Sequence, residues 1–214
     1  MEIKVILFDY DGVIVDTFPN LCKIYREMCA RFGGTYPATN EEFRDLWRGQ
    51  DHHHVQNVLG IRDLHERETS KFYREEILKA TPPLFPGIRE ALQQLQDYEL
   101  VILSSTHSDE INDKLQRYGL AQFFSRVIAR DGQQGIRKDK LIRDFLKERG
   151  MKPDVVVLIG DRSIDFEEGT KAGLKNIILV EYGWGYTKDI MPKQLVLVNA
   201  ASDIPRAIQA IARG

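Results

Sequence analysis

With 214 residues, 30 of them Lys or Arg and 32 Asp or Glu, the chain carries a formal charge of −2 and is long enough for one large domain, or a core with a smaller insert. No block of like charge marks a nucleic-acid or membrane surface. No apolar run approaches the roughly 18 residues of a membrane span, and the chain opens on a strand-like segment without the form of a cleavable leader. Cys22 and Cys29 fall in one predicted helix, roughly two turns or 10 Å apart and too far to bridge. Reduced packing thiols in a cytoplasmic protein are the expectation.

Residues 3–8 are an almost unbroken apolar run with β-branched members, short enough to be a buried strand of a parallel sheet. Directly behind it stands Asp9-Tyr10-Asp11-Gly12-Val13-Ile14-Val15-Asp16. Two carboxylates at the mouth of a buried strand repel each other unless a cation or a proton intervenes, so stability alone would not select them. From Thr17 to about Pro83 no strand is predicted. Leu21, Ile24, Tyr25, Met28 and Phe32 follow helical spacing up to Gly33-Gly34. Thr39-Asn40-Glu41-Glu42 resembles a capping box ahead of Phe43, Leu46 and Trp47. Two more helices are predicted near 51–60 and 63–80, and the Pro-rich segment 81–87 reads as a stiff return linker.

Beyond Gly87 helices and strands alternate. Strands are predicted at 100–103, 126–129, 155–159, 176–180 and 195–198. Helices are predicted near 88–97, 109–118, 139–149, 165–172 and 204–212. This alternation predicts an α/β fold with a doubly wound parallel sheet. Residues 1–16 and 85–214 would form the core, and 17–84 an inserted α-helical domain.

Ligands of such sheets bind beyond the carboxyl ends of the strands. There the first strand presents Asp9 and Asp11, the second Ser104-Ser105-Thr106, and the fourth Gly160-Asp161 with Asp165. The loop after the third strand adds Arg137, Lys138 and Lys140. Hard carboxylate oxygens suit a small hard cation such as Mg²⁺, and hydroxyls with a lysine suit the oxygens of a phosphoryl group.

These motifs resemble, in order and each at a strand end, the haloacid dehalogenase-like hydrolase superfamily, in its phosphoglycolate phosphatase and β-phosphoglucomutase-like branch. The helical insert stands where that family has its cap. The resemblance implies a Rossmann-like core and a magnesium-dependent phosphatase of small phosphorylated metabolites, working as a monomer or homodimer. It implies Asp9 as nucleophile, giving an aspartyl-phosphate, and Asp11 as general acid and then base. Asp9, the Asp11 carbonyl, Asp161 and Asp165 would hold the metal. Ser104, Ser105 and Lys138 would bind phosphate, Lys138 being preferred to Lys140 by its spacing from the acidic motif. The cap would close over the site to exclude water until the intermediate forms. A phosphomutase is the alternative, against which no histidine lies between Thr17 and Ala38, where such mutases commonly carry one. A non-catalytic binding protein on the same fold would have lost a motif acid, and none is missing.

Two departures from the family pattern stand out: the missing proline after Lys138, and Arg162 where relatives commonly carry a small hydroxyl residue. Arg48-Gly49 and His107 are candidates for substrate contact, the former in the position of a substrate-reading loop. Asp16 is expected to orient the loop at the junction with the helical insert. His52-His53-His54 cannot turn all three rings on one ion from a helix, because successive residues point about 100° apart. Trp184-Gly185-Tyr186 is expected to be a loop packed by its aromatics.

Overall fold

The computed structural model describes residues 2–47, 52–61, 66–129, 131, 137–185 and 196–213. The chain divides into two compact units, Met1–Val15 with Leu84–Gly214, and Asp16–Pro83.

The first unit holds a parallel six-stranded sheet of β1 (Val5–Phe8), β2 (Glu99–Leu103), β3 (Arg126–Ile128), β4 (Val156–Gly160), β5 (Asn176–Val180) and β6 (Val196–Val198), in the order β3-β2-β1-β4-β5-β6. β1 is apolar along its whole length because it lies in the middle and both its faces are covered. Side chains alternate between those faces. Ile6 and Phe8 join a cluster with Leu92, Ile111 and Ile204, and Val5 and Leu7 join one with Ile142, Phe145 and Leu158. Leu158 belongs to β4, and the other partners come from α5 (Ile88–Gln94), α6 (Ser108–Tyr118), α7 (Lys138–Glu148) and α9 (Ile204–Arg213), while α8 (Ser163–Lys171) packs Phe166 against the second cluster. The doubly wound parallel sheet expected from the alternation is therefore present. The strand predicted at 195–198 appears as 196–198, and Leu195 lies outside the described residues.

The register fixes where the polar strand ends meet. Phe8 is level with Ile102 on one side and Ile159 on the other. Asp9, Ser104 and Asp161 therefore emerge together, and the Asp9 N–H still joins the ladder by donating to Ile159 O at 2.8 Å. The chain runs outward from β1 through β2 and β3, then returns to the other flank for β4. The crevice beside β1 is thus the topological switch point, where open α/β sheets bind ligands.

The second unit contains α1 (Phe18–Phe32), α2 (Asn40–Asp45), α3 (His52–Val58) and α4 (Glu66–Lys79) among its described residues. Asp16 accepts the Phe18 N–H at 3.3 Å at the entrance to α1. The capping box is made: Thr39 Oγ1 accepts from Glu42 N at 3.1 Å, and Glu42 Oε2 accepts from Thr39 N at 3.3 Å. The interior is aromatic, with Phe43 buried between Phe18, Tyr25, Tyr36 and Trp47. His52 joins this cluster, its Nδ1 at 2.8 Å from Tyr25 Oη and its ring edge-on to Trp47. His53 and His54 lie exposed on the same short helix. Cys22 and Cys29 are buried and form no disulfide. Arg48 and Gly49 lie outside the described residues.

Candidate active site

Asp9 leaves the end of β1 buried, and its Oδ1 accepts the Tyr10 N–H at 2.8 Å. Its Oδ2 accepts from Lys138 Nζ at 2.5 Å. The same ammonium lies 2.7 Å from Asp165 Oδ1. Lys138 is the first residue of α7 and is itself buried, whereas Lys140 is exposed and pairs with Asp144 at 2.6 Å. A solvated helix start, the plain expectation for a lysine at either position, therefore describes Lys140 and not Lys138.

Asp161 and Asp165 come from the β4–α8 turn. Asp165 Oδ2 accepts the Arg162 N–H at 3.0 Å, which ties down the first turn of α8. Asp161 Oδ2 accepts the Gly185 N–H at 2.9 Å, and its Oδ1 is buried without a hydrogen-bond partner. One carboxylate oxygen from each of Asp9, Asp161 and Asp165 lies within 4.8 Å of the others. Among the described residues the Lys138 ammonium meets two of these three buried carboxylates, Asp9 and Asp165, and the shortage of positive charge appears in the acidities of Asp9 and Asp161. Burial pushes Asp9 up to about 7, with Lys138 pulling it down and Asp165 adding to the rise. Burial, then Asp165 and Asp9, hold Asp161 well above the ordinary carboxylate range. For Lys138, burial works downward, but Asp165 and Asp9 raise it on balance, so the amine stays charged. An all-oxygen cluster with one unpartnered buried oxygen fits a hard divalent cation. The Asp11 carboxylate is not part of that cluster.

Asp11 is half-buried just past β1, and its Oδ2 accepts the Thr106 hydroxyl at 2.8 Å. Ser104 is buried, and its Oγ accepts the Thr106 N–H at 3.0 Å, while Ser105 and His107 are exposed. Thr106 therefore joins the Ser104 hydroxyl to the Asp11 carboxylate. The hydroxyl run after β2 signals such a role, but nothing in it says which of three side chains faces Asp11.

Gly12 occupies the left-handed region at φ 79°, and a Cβ there would overlap the Asp161 carboxylate. A Cβ on Gly183 would likewise overlap the Asp161 side chain and the Gly12 carbonyl. The turn after β5 was expected to be an aromatic-packed loop, and Trp184 is indeed buried, with the Arg162 guanidinium 5.5 Å from its ring centre. The same turn also bonds an acid of the site, through the Gly185 N–H on Asp161. Only backbone does this work, so side-chain pattern could not announce it. Tyr186 lies outside the described residues.

The profile of the haloacid dehalogenase-like hydrolase family matches residues 6–179, and the chain belongs to that family. Among curated relatives, it is 28% identical over 187 residues to a phosphoglycolate phosphatase of Synechococcus elongatus, covering 86% of this chain and 85% of that one. It is 24% identical over 220 residues to a phosphorylated carbohydrates phosphatase of Thermotoga maritima, covering 97% and 99%. Among solved structures, a haloacid dehalogenase-like hydrolase from Streptococcus pneumoniae superimposes with a TM-score of 0.78 at 19% identity, covering 97% of each chain, which shows the shared fold.

Proposed function

We propose that this hydrolase cleaves phosphate monoesters of small metabolites, in the manner of the phosphoglycolate phosphatases to which it is similar. The observation that carries the reading is the Asp9 carboxylate, held by Lys138 at the switch point beside Asp161 and Asp165.

Asp9 acts as the nucleophile: a carboxylate oxygen forms a bond to phosphorus while the bond to the leaving alkoxide breaks, giving an aspartyl-phosphate. Asp11, oriented by Thr106, donates its proton to the departing oxygen. It then takes a proton from water, whose oxygen attacks phosphorus and frees Asp9. Ser104 and Lys138 balance charge on the phosphoryl oxygens. The carboxylates of Asp9, Asp161 and Asp165, with the Asp11 carbonyl, form the proposed metal site. A magnesium ion bound there supplies the positive charge this acid cluster lacks and polarises the phosphoryl group. The segment Asp16–Pro83 takes the part of the family's cap in this reading.

The test is phosphate release from a panel of aryl, sugar and carboxylic-acid phosphates, run with magnesium and after thorough chelation. Release from at least one ester, abolished by the chelator and restored by magnesium, is the expected result. No release from any ester would overturn the phosphatase reading, and release that survives chelation would remove the metal from it. Interconversion of sugar phosphates without release would assign the chain to the mutases.

A further inference from the structure

Lys138 is gripped at two points by one helix. Its ammonium meets Asp165, and its backbone N–H donates to Glu168 Oε2 at 2.7 Å. Asp165 and Glu168 are three residues apart on α8, so they share a face, one turn from each other. Glu168 is buried, an expensive place for a carboxylate unless it is hydrogen-bonded. Its second oxygen lies 3.0 Å from Arg137 Nε. Arg137 is the residue before α7, in extended conformation and with no side-chain cap of its own. Glu168 thus takes over the cap of α7 from a neighbouring helix, accepting an N–H that the helix cannot satisfy internally, at the end where the dipole favours an anion. No proline stiffens this start, since Asp139 follows Lys138.

Building on the phosphatase reading, we propose that Glu168 is a positioning residue for the reaction. By fixing the first residue of α7 it sets where the Lys138 ammonium stands between Asp9 and Asp165. It touches no reacting atom, and it acts through Lys138.

The test follows Lys138 itself in Glu168→Ala and Glu168→Gln, by its rate of acylation with an amine-reactive reagent, read by mass spectrometry on the full-length protein. Lys114, a buried lysine on α6, is the internal control. In Glu168→Ala, acylation of Lys138 should quicken by about tenfold while Lys114 is unchanged, since only the α7 start opens. Its kcat should fall about ten- to a hundredfold, the scale of a misplaced catalytic group. Glu168→Gln keeps an acceptor for the N–H and should lie between the alanine variant and the parent in both measurements. Unchanged acylation of Lys138 in folded Glu168→Ala would overturn the proposal, as would equal acceleration at Lys114, which would mean general loosening. Accelerated acylation of Lys138 in a protein whose parent hydrolyses no ester would uphold the seating of Lys138 and refute the phosphatase reading instead.

Discussion

The two units of the chain treat charge in opposite ways. In the helical unit, described charged side chains form surface pairs such as Lys23–Glu27 and Lys71–Glu75, and the interior is built from rings around Tyr25 and Phe43. In the sheet-based unit, Asp9 and Asp161 at strand ends and Lys138, Asp165 and Glu168 on α7 and α8 are all buried. Surface pairs contribute little to stability, and buried charges short of partners subtract from it. The helical unit is therefore optimised for packing, while the sheet unit gives up stability at one edge to concentrate carboxylates.

The contrast can be broken most severely at Asp9. Asp9→Asn should lower turnover of a generic aryl phosphate by roughly 10³-fold or more, because the proposed nucleophile is gone. Its melting temperature in chelator should hold or rise, since one of three crowded carboxylates has been neutralised. A melting temperature well below that of the parent would contradict the electrostatic picture. Lys138→Met strands the acids without their ammonium, and should both abolish most activity and cost about 3–5 kcal/mol in denaturant titration. Phe43→Ala, in the ring cluster, should cost a similar 3–5 kcal/mol by cavity formation, with hydrogen exchange rising in Asp16–Pro83. Exchange that rises first around β1 would break the division between the units.

Protons and metal should compete for the site. The Asp9 carboxyl, raised from 3.8 to about 7, keeps a proton in the folded state that the unfolded chain has already lost in that interval. Stability of the metal-free protein should accordingly fall as pH rises from about 4 to about 7. Magnesium should raise the melting temperature more at about pH 8 than at about pH 5, and the reverse order would refute the assignment of the metal to these carboxylates. The smallest effect belongs to Lys140→Ala, which removes an exposed pair with Asp144 and should leave kcat unchanged. A large loss there would move the phosphate-site lysine from Lys138 to Lys140.

Much of the fold was legible because its signals are local. Strand-length apolar runs, Gly119 after a helical stretch and the Thr39–Glu42 capping box each depend on neighbours a few residues away. The acids of the site were legible for a related reason, since carboxylates behind buried strands contradict stability wherever they occur. The partners of those acids were hidden. Asp11 is the obvious neighbour of Asp9 in the chain, yet in space Asp9 answers chiefly to Lys138 and Asp165, while Asp11 turns to Thr106. Nor could composition show that Gly185 holds Asp161, because a backbone N–H is common to nearly every residue.

By itself the sequence determined the parallel sheet and the positions of Asp9, Asp11 and Asp161 just behind its strands, with Asp165 four residues further on, all consequences of periodicity and of chemistry carried by single residues. Only the tertiary structure decided that Lys138 is the buried lysine, that Thr106 rather than Ser105 meets Asp11, that Glu168 accepts the Lys138 N–H, and that the turn after β5 bonds Asp161. Those pairings join residues up to 129 positions apart, and they are set by strand register and helix packing rather than by any local preference.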